Sequence, residues 1–540
     1  MGKNKLMVSA IALALGMALS SGVGYAAAAG TKTDDAANDD FSIHVGGYVR
    51  TWVGIRLNDD PETKANDQFN PNMLRGSLLL DTDINTGPLK WKVIGRFDRE
   101  AKPAYLDRLE KLSALQSPGG NVGSNYMSQY NTNNAWDALR EAYVDFNVGE
   151  RLAFRLGKQQ LVWGESDFFQ AMDVIHGFDL RWRLFFEDNQ DWRKPLTMGV
   201  ATVDAPELNG NLQVFVRPGL DRGQDIGKSF NLEGGRWIPQ PYRGVDFTAF
   251  TQYNYHSAGA NINDVTGGAR WSGNLGSVGY SLAYIRTFNE EPVINPPSST
   301  AVSGLFGVTA STPFREEPKN QVLGDWIYPT VNVLGVSAND YVESVDAVLS
   351  TEVALTLKKP FNYGQLSTSL PGWSGITRKN TLSIMLRADK NINLVNLLGT
   401  TRPSLSSLQI FDTWIMGYHS SDDIVEFASF GARKRQHTAM LTYFILLNYR
   451  HDTINPSFVI GSDISNGGGF VIPAVEFVLG DAWRLKVEAD LFWDTHHKSP
   501  SATAINGAHF NPVGISENST ALFGWFHKDN QVVFRVTRQF

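Results

Sequence analysis

Between Arg484 and Trp493 the chain reads RLKVEADLFW. Arg484, Lys486, Glu488 and Asp490 fall on one parity, and Leu485, Val487, Ala489, Leu491 and Trp493 on the other. Successive side chains of a strand point to opposite faces, so this segment makes one charged and one apolar face. The same pattern recurs upstream. Trp91, Val93 and Phe97 oppose Lys92, Arg96 and Asp98; Ala142, Val144, Phe146 and Val148 oppose Glu141, Tyr143, Asp145 and Asn147. Leu152, Phe154 and Leu156 oppose Arg151 and Arg155, and Leu382, Ile384, Leu386 and Ala388 oppose Ser383, Arg387 and Asp389. A soluble sandwich alternates in this way, with its apolar face on a second sheet. So does a barrel with a wet lumen and a lipid exterior.

The end of the chain separates the two. Gln531 to Phe540, QVVFRVTRQF, alternates Val532, Phe534 and Val536 with Val533, Arg535 and Thr537 and stops on an aromatic residue. It resembles the C-terminal strand of Gram-negative outer-membrane barrels, whose last aromatic residue is an assembly signal. On that resemblance Phe540 is the assembly signal and the barrel assembly machinery a partner. At the other end Lys3 and Lys5 precede an apolar run, Leu6 to Leu19, and then small residues through Ala26 to Ala29. This is the order of a secretory signal peptide, and the run is too short to span a bilayer. Residues 1–29 are therefore read as a signal peptide, 30–40 as a flexible segment and 41–540 as one barrel domain in the cell outer membrane, with outer-membrane lipids around it.

Composition is consistent with that class. Of 540 residues 42% are apolar and 11% aromatic, with 50 Gly, which argues against disorder and coiled coil. Cys is absent, so disulfides, thiolate metal sites, Cys nucleophiles and lipoprotein acylation are excluded. A net charge of −7 gives no basic excess for a nucleic-acid partner. Beyond the signal no stretch of eighteen apolar residues occurs, and mean hydropathy is −0.22, which rules out membrane-spanning helices.

The fold expected is an all-β, antiparallel up-and-down transmembrane barrel of about sixteen strands, within a range of 14–18, with long extracellular loops partly folded into the lumen. Strands are placed near 41–57, 73–84, 90–99, 139–147, 151–163, 196–204, 210–217, 264–272, 277–288, 341–356, 379–390, 435–450, 456–463, 470–478, 484–494 and 529–540. Short connections at Asn85–Leu89, Val148–Glu150, Asn274–Gly276, His451–Asn455 and Leu479–Asp481 alternate with long ones, the asymmetry of periplasmic turns and outer loops. Residues 357–378 are long for such a turn. The long segments 100–138, 164–195, 218–263, 289–340, 391–434 and 495–528 are read as loops, some of them folded over or into the barrel. Leu106, Leu109 and Leu112 fall at helical spacing in the first, and the prolines of 289–340 favour extended chain. No separate plug domain precedes the first strand, which argues against a TonB-dependent transporter.

The functional constellation lies at Arg155–Asp167, RLGKQQLVWGESD, and the run that follows to Pro195. Arg155, Gln159, Trp163 and Glu165 share the inward parity, and Asp167, Asp179, Arg181 and Arg183 follow in a stretch crowded with Phe168, Phe169, Trp182, Phe185, Phe186 and Trp192. An exposed loop would not carry so many large aromatics, so 164–195 is expected to enter or cap the lumen. Its charges would hold a constriction there. Arg387, Asp389, Arg484, Lys486, Glu488, Asp490 and Arg535 are the lumen-lining residues of the strands. Trp163, Gly164 and Glu165 also admit a purely structural reading, closing a bulge and pairing Glu165 with Arg155.

This core, preceded by REAYVDF at Arg140–Phe146, resembles the uncharacterised Gram-negative family called domain of unknown function 1302. The resemblance implies an outer-membrane barrel working beside envelope lipid-export components, as a conduit or acceptor for hydrophobic or lipid-like molecules. The charged inward faces leave a polar-solute porin as the second reading, and an outer-membrane lipid-modifying enzyme as the third. No G-x-S-x-G, H-E-x-x-H or EF-hand loop occurs. Gly223–Ser229 misses a P-loop by one residue, and the adjacent His496 and His497 would point opposite ways on a strand. No catalytic residue, metal or cofactor is expected.

Overall fold

The computed structural model describes residues 41–59, 63, 65–116, 126–166, 169–238, 246–256, 258–298, 311–364, 372–426, 432–495, 505–506, 509–510 and 522–540. The proposed signal peptide and residues 30–40 lie outside them.

Eighteen strands form the wall: β1 Phe41–Arg56, β2 Pro71–Thr86, β3 Leu89–Glu100, β4 Leu139–Val148, β5 Leu152–Gln159, β6 Leu196–Ala205, β7 Gly210–Arg217, β8 Thr266–Leu275, β9 Val278–Phe288, β10 Thr330–Val342, β11 Ala347–Tyr363, β12 Gly375–Ile392, β13 Ser404–Ile415, β14 His437–Leu446, β15 Ile454–Asp463, β16 Gly468–Leu479, β17 Trp483–Asp494 and β18 Gln531–Gln539. Each pairs antiparallel with the next, and β18 returns to β1 from Arg56↔Gln531 to Tyr48↔Gln539. The sheet closes on itself, so every strand has two partners and the barrel has no edge. Gly47 and Phe540 extend the seam by one rung, each amide N–H donating to the other's carbonyl, at 3.0 and 3.1 Å. A β-carbon on Gly47 would lie 2.1 Å from the Leu79 carbonyl oxygen, so only glycine fits beside the terminal residue.

Connections at one end are mostly short, among them residues 149–151 and 276–277, with 393–403 the longest, and nearly all at the other are long. The five short turns expected from sequence all fall at the short end. Outward side chains such as Phe97, Leu156, Val216, Leu282, Leu386 and Ile410 are exposed and apolar. An exposed apolar band around a closed sheet is the lipid-facing surface of a membrane barrel.

The expected set lacks two strands, β10 and β13, and for β10 the reason lies in its inward face. On β10 Leu334 and Val336 face outward at 46% and 48% exposure, while Val331 and Val333 face inward at 4% and 1%. Both faces are apolar because the lumen beside them is packed rather than wet, and the polar-apolar alternation disappears. On β13 the outward Leu408 and Ile410 alternate with buried Gln409 and Phe411. The expected strand 341–356 spans the turn between β10 and β11, at residues 343–346. Restoring β10 moves the link after β11 to the long-loop end, where residues 364–374 join β11 to β12. That side accommodates the length that troubled a turn at 357–378. The segments 289–340 and 391–434 are thus loops only in part.

Helix α1, Ala104–Gln116, follows β3. Its Leu106 and Leu109 are buried against Trp52, Met73, Tyr130, Trp182 and Val533, so the first long loop folds inward over the β18–β1–β2 seam.

Candidate functional site

Residues 160–195 leave the end of β5 and run inside the barrel before β6 begins. Gln159 is buried and its side-chain amide donates to the Met198 carbonyl at 3.1 Å. Trp163 is buried against β7: its indole N–H donates to Gln213 Oε1 at 2.6 Å, and its ring meets Phe215 edge-on at 5.2 Å. A β-carbon on Gly164 would lie 2.8 Å from Asp173 Cβ, so the Trp-Gly-Glu sequence keeps a glycine where the insert folds back on itself. The Glu165 N–H donates to the Glu352 carboxylate of β11, which also accepts the Met172 N–H at 3.0 Å. Asn339 donates to the Glu165 side chain at 3.0 Å, and Arg387 to its carbonyl oxygen at 2.7 Å. Glu165 does not pair with Arg155, which binds Asp145 at 2.7 and 2.9 Å on the neighbouring strand. Asp167 lies outside the described residues, as do His496 and His497.

Farther along, Asp179 and Arg181 pair with each other at 2.7 and 2.8 Å. Arg183 is fully buried between Glu187 of its own turn and Glu488 and Asp490 of β17. Glu187 in turn accepts from Trp52 on β1 at 2.9 Å and from Arg535 on β18 at 3.0 Å. Burial alone would raise the Glu187 carboxyl, but Arg183 first and then Arg535 hold it down to about 2. Arg50 of β1 meets Asp191 at 3.0 Å. Glu187 and Asp191 of the insert are thus met by cations of the two strands that form the closing seam.

Of the strand residues named from sequence, Arg387, Glu488, Asp490 and Arg535 contact the insert directly. Lys486 reaches Glu488 at 2.6 Å, and Arg387 pairs with Asp389 at 2.8 Å. Arg484 sits at the short-turn end, donating to the Trp483 carbonyl at 3.3 Å, away from the insert. Sequence reasoning missed Glu352, Asn339 and the loop Phe230–Ile238. Alternation along β11 would have put Glu352 inside. Its partners are main-chain N–H groups of the insert, for which the sequence carries no signal.

Aromatic packing completes the insert. Phe169, Phe185 and Phe186 pack with Phe411, Phe470, Phe492 and Phe523, ring centroids lying 4.6 to 6.2 Å apart. His176 is buried. Its Nε2 accepts the Leu161 N–H at 2.9 Å and its Nδ1 lies 2.9 Å from the Lys194 carbonyl oxygen, an arrangement only the neutral ring with the proton on Nδ1 can make. Burial, and then Arg193, lowers it to about 3.

The segment Asp179–Phe185 divides the long-loop end of the lumen. On one side Leu180, Leu184, Phe230, Leu232, Trp237 and Ile238 line a mostly apolar cavity of about 140 Å3, with Lys359, Lys434 and Glu291 also in its wall. On the other, Asp179, Arg181, Arg96, Arg140, Lys158 and Lys194 line a polar cavity of about 130 Å3. A third cavity of about 390 Å3 lies toward the short-turn end, walled by Lys90, Asp145, Arg155, Gln159, Thr202 and Gln213.

A closed barrel with a lumen insert that starts at the Trp-Gly-Glu sequence agrees with the resemblance read from Arg155–Asp167. Residues 7–204 match the family Protein of unknown function (DUF1302). The DUF1302 match ends in β6 and takes in the whole insert. No curated protein matches the chain. Solved structures similar to it include the outer membrane channel DcaP of Acinetobacter baumannii, at 10% identity and TM-score 0.36 over 93% of this chain and 99% of that one. An anion-selective porin from Comamonas acidovorans has 11% identity and TM-score 0.33 over 93% and 100%. A BenF-like porin from Pseudomonas fluorescens Pf-5 has 8% identity and TM-score 0.43 over 92% and 98%.

Proposed function

We propose that the chain is an outer-membrane channel whose lumen is held shut by the 160–195 insert and whose cargo is hydrophobic or lipid-like. The carrying observation is the apolar cavity of about 140 Å3 between the insert and the upper wall. A cavity of that order accepts a benzene-sized apolar body, which gains by leaving water. A polar-solute porin needs charged groups facing a water path. Here Arg183, Glu187, Glu488, Asp490 and Arg535 are bound to one another, and the aromatic cluster occupies the space beside them. Under this reading the surrounding outer-membrane lipids, and the envelope lipid-export components implied by the family resemblance, are its working partners.

The test is saturable binding of toluene to the purified full chain, followed by NMR, compared with Leu184→Glu. Binding that is lost in the variant, with heat-modifiable barrel mobility retained, supports the reading. Equal binding by both proteins overturns it. Lipid hydrolysis that disappears with one Ser or His substitution would instead make the protein an enzyme.

A further inference from the structure

The polar cavity on the other side of Asp179–Phe185 is not used by the proposed cargo, and its charges do not balance. Seven basic and four acidic side chains line it. Most of the basic ones have a carboxylate: Arg75 meets Asp98 at 2.9 Å, Arg181 meets Asp179 at 2.7 Å, and Arg222 and Lys158 share Asp225 at 3.2 and 3.4 Å. Two do not. Arg140 donates to the carbonyl oxygens of Gln190 and Arg193, at 2.7 and 2.8 Å. Lys194, which is buried, donates to the carbonyls of Gln224 and Gly227, at 3.0 and 2.7 Å, and to the Ser229 hydroxyl. Among the described residues neither has a carboxylate within 4 Å.

A cation withdrawn from water costs several kcal/mol unless a counter-charge meets it. Carbonyl dipoles orient half-buried Arg140 and buried Lys194 but supply neither with a counter-charge. The guanidinium of Arg140 still has donors free, and a planar donor fork fits a tetrahedral or planar oxyanion. Arg96 and Lys158 border the same space, each already paired with a carboxylate. We infer that this cavity is a binding site for a phosphate-type oxyanion, held by the free N–H groups of Arg140 in the field of Lys194, whose three donors stay on Gln224, Gly227 and Ser229. Such an anion could arrive as a free solute or as the headgroup of a phospholipid, since the cavity lies at the long-loop end beside β3, β4 and β5. The site is independent of the apolar cavity and stands or falls without it.

The test is equilibrium dialysis of inorganic phosphate against the purified full chain in a zwitterionic detergent at pH 7. The expected result is saturable binding to one site, weakened at least tenfold in Arg140→Gln and in Lys194→Gln and by less in Arg140→Lys, which keeps the charge but loses the fork, with heat-modifiable mobility unchanged. Should Lys194→Gln fail to fold, the two Arg140 variants decide. Adding phosphatidylglycerol to the micelles distinguishes the source: displacement of phosphate identifies a lipid headgroup, and undisturbed binding a free anion. No saturable phosphate binding by the unaltered chain, or binding equal in Arg140→Gln, overturns the proposal.

Discussion

Trp52 on β1 and Glu187 in the insert are joined by an indole N–H that donates to a carboxylate oxygen at 2.9 Å, both residues buried. The same carboxylate accepts from Arg535 on β18. A single acid of the insert therefore ties together the first and last strands, the two that must find each other for the barrel to close.

Glu187→Gln keeps an acceptor for Trp52 but leaves Arg183 and Arg535 facing one charge fewer. Breaking a buried pair from one side costs about 3–5 kcal/mol. The docked insert is expected to loosen while the barrel survives. Thermal unfolding followed by tryptophan emission should show a lower first transition and an unchanged final one.

Trp163→Ala should cost about 3–5 kcal/mol, the usual range for a buried tryptophan, because it removes the Phe215 contact and the donor to Gln213 Oε1. Glu165→Ala should cost less, since two of its three ties to the wall are main-chain ties. Limited proteolysis between residues 160 and 195 measures both, with Trp163→Ala cut faster.

Acid should release the insert. An unfolded imidazole binds its proton near 6.5, but the buried His176 does not until about 3. Between these values the undocked state holds more protons, so the stability His176 contributes is complete above about 6.5 and lost progressively as pH falls toward 3. The Leu161 N–H bond must break when Nε2 takes the proton. Lowering pH from 7 to 4 should red-shift the insert tryptophans in the unaltered chain, with the shift reduced in His176→Gln.

Deleting Phe540 removes the rung with Gly47, the last of the seam. The yield of heat-modifiable barrel from cells should fall severalfold, as expected if this residue is what the assembly machinery reads. Normal yield would count against that role.

Legibility followed the environment of each strand. Where the inward face meets water or ion pairs, as in Arg484–Asp490, alternation marks strand and face together. Where it meets the insert, as at Val331 and Val333, the inward residues become apolar and the strand is hidden. The insert announced itself through its aromatics and charges, and Arg183 and Arg535 were read as inward. Their partners were not legible. Arg155 turns to Asp145 rather than Glu165 because the two strand residues are direct cross-strand neighbours. Arg140 and Lys194 escaped notice because their bonds go to backbone carbonyls, which no residue type reports.

The most direct test of a lumen closed by its own insert is single-channel conductance of the purified mature protein in planar bilayers, with and without residues 164–195. The intact protein should give no large steady conductance, and deletion should open one. Large steady conductance through the intact chain would contradict the account and make it a polar-solute porin.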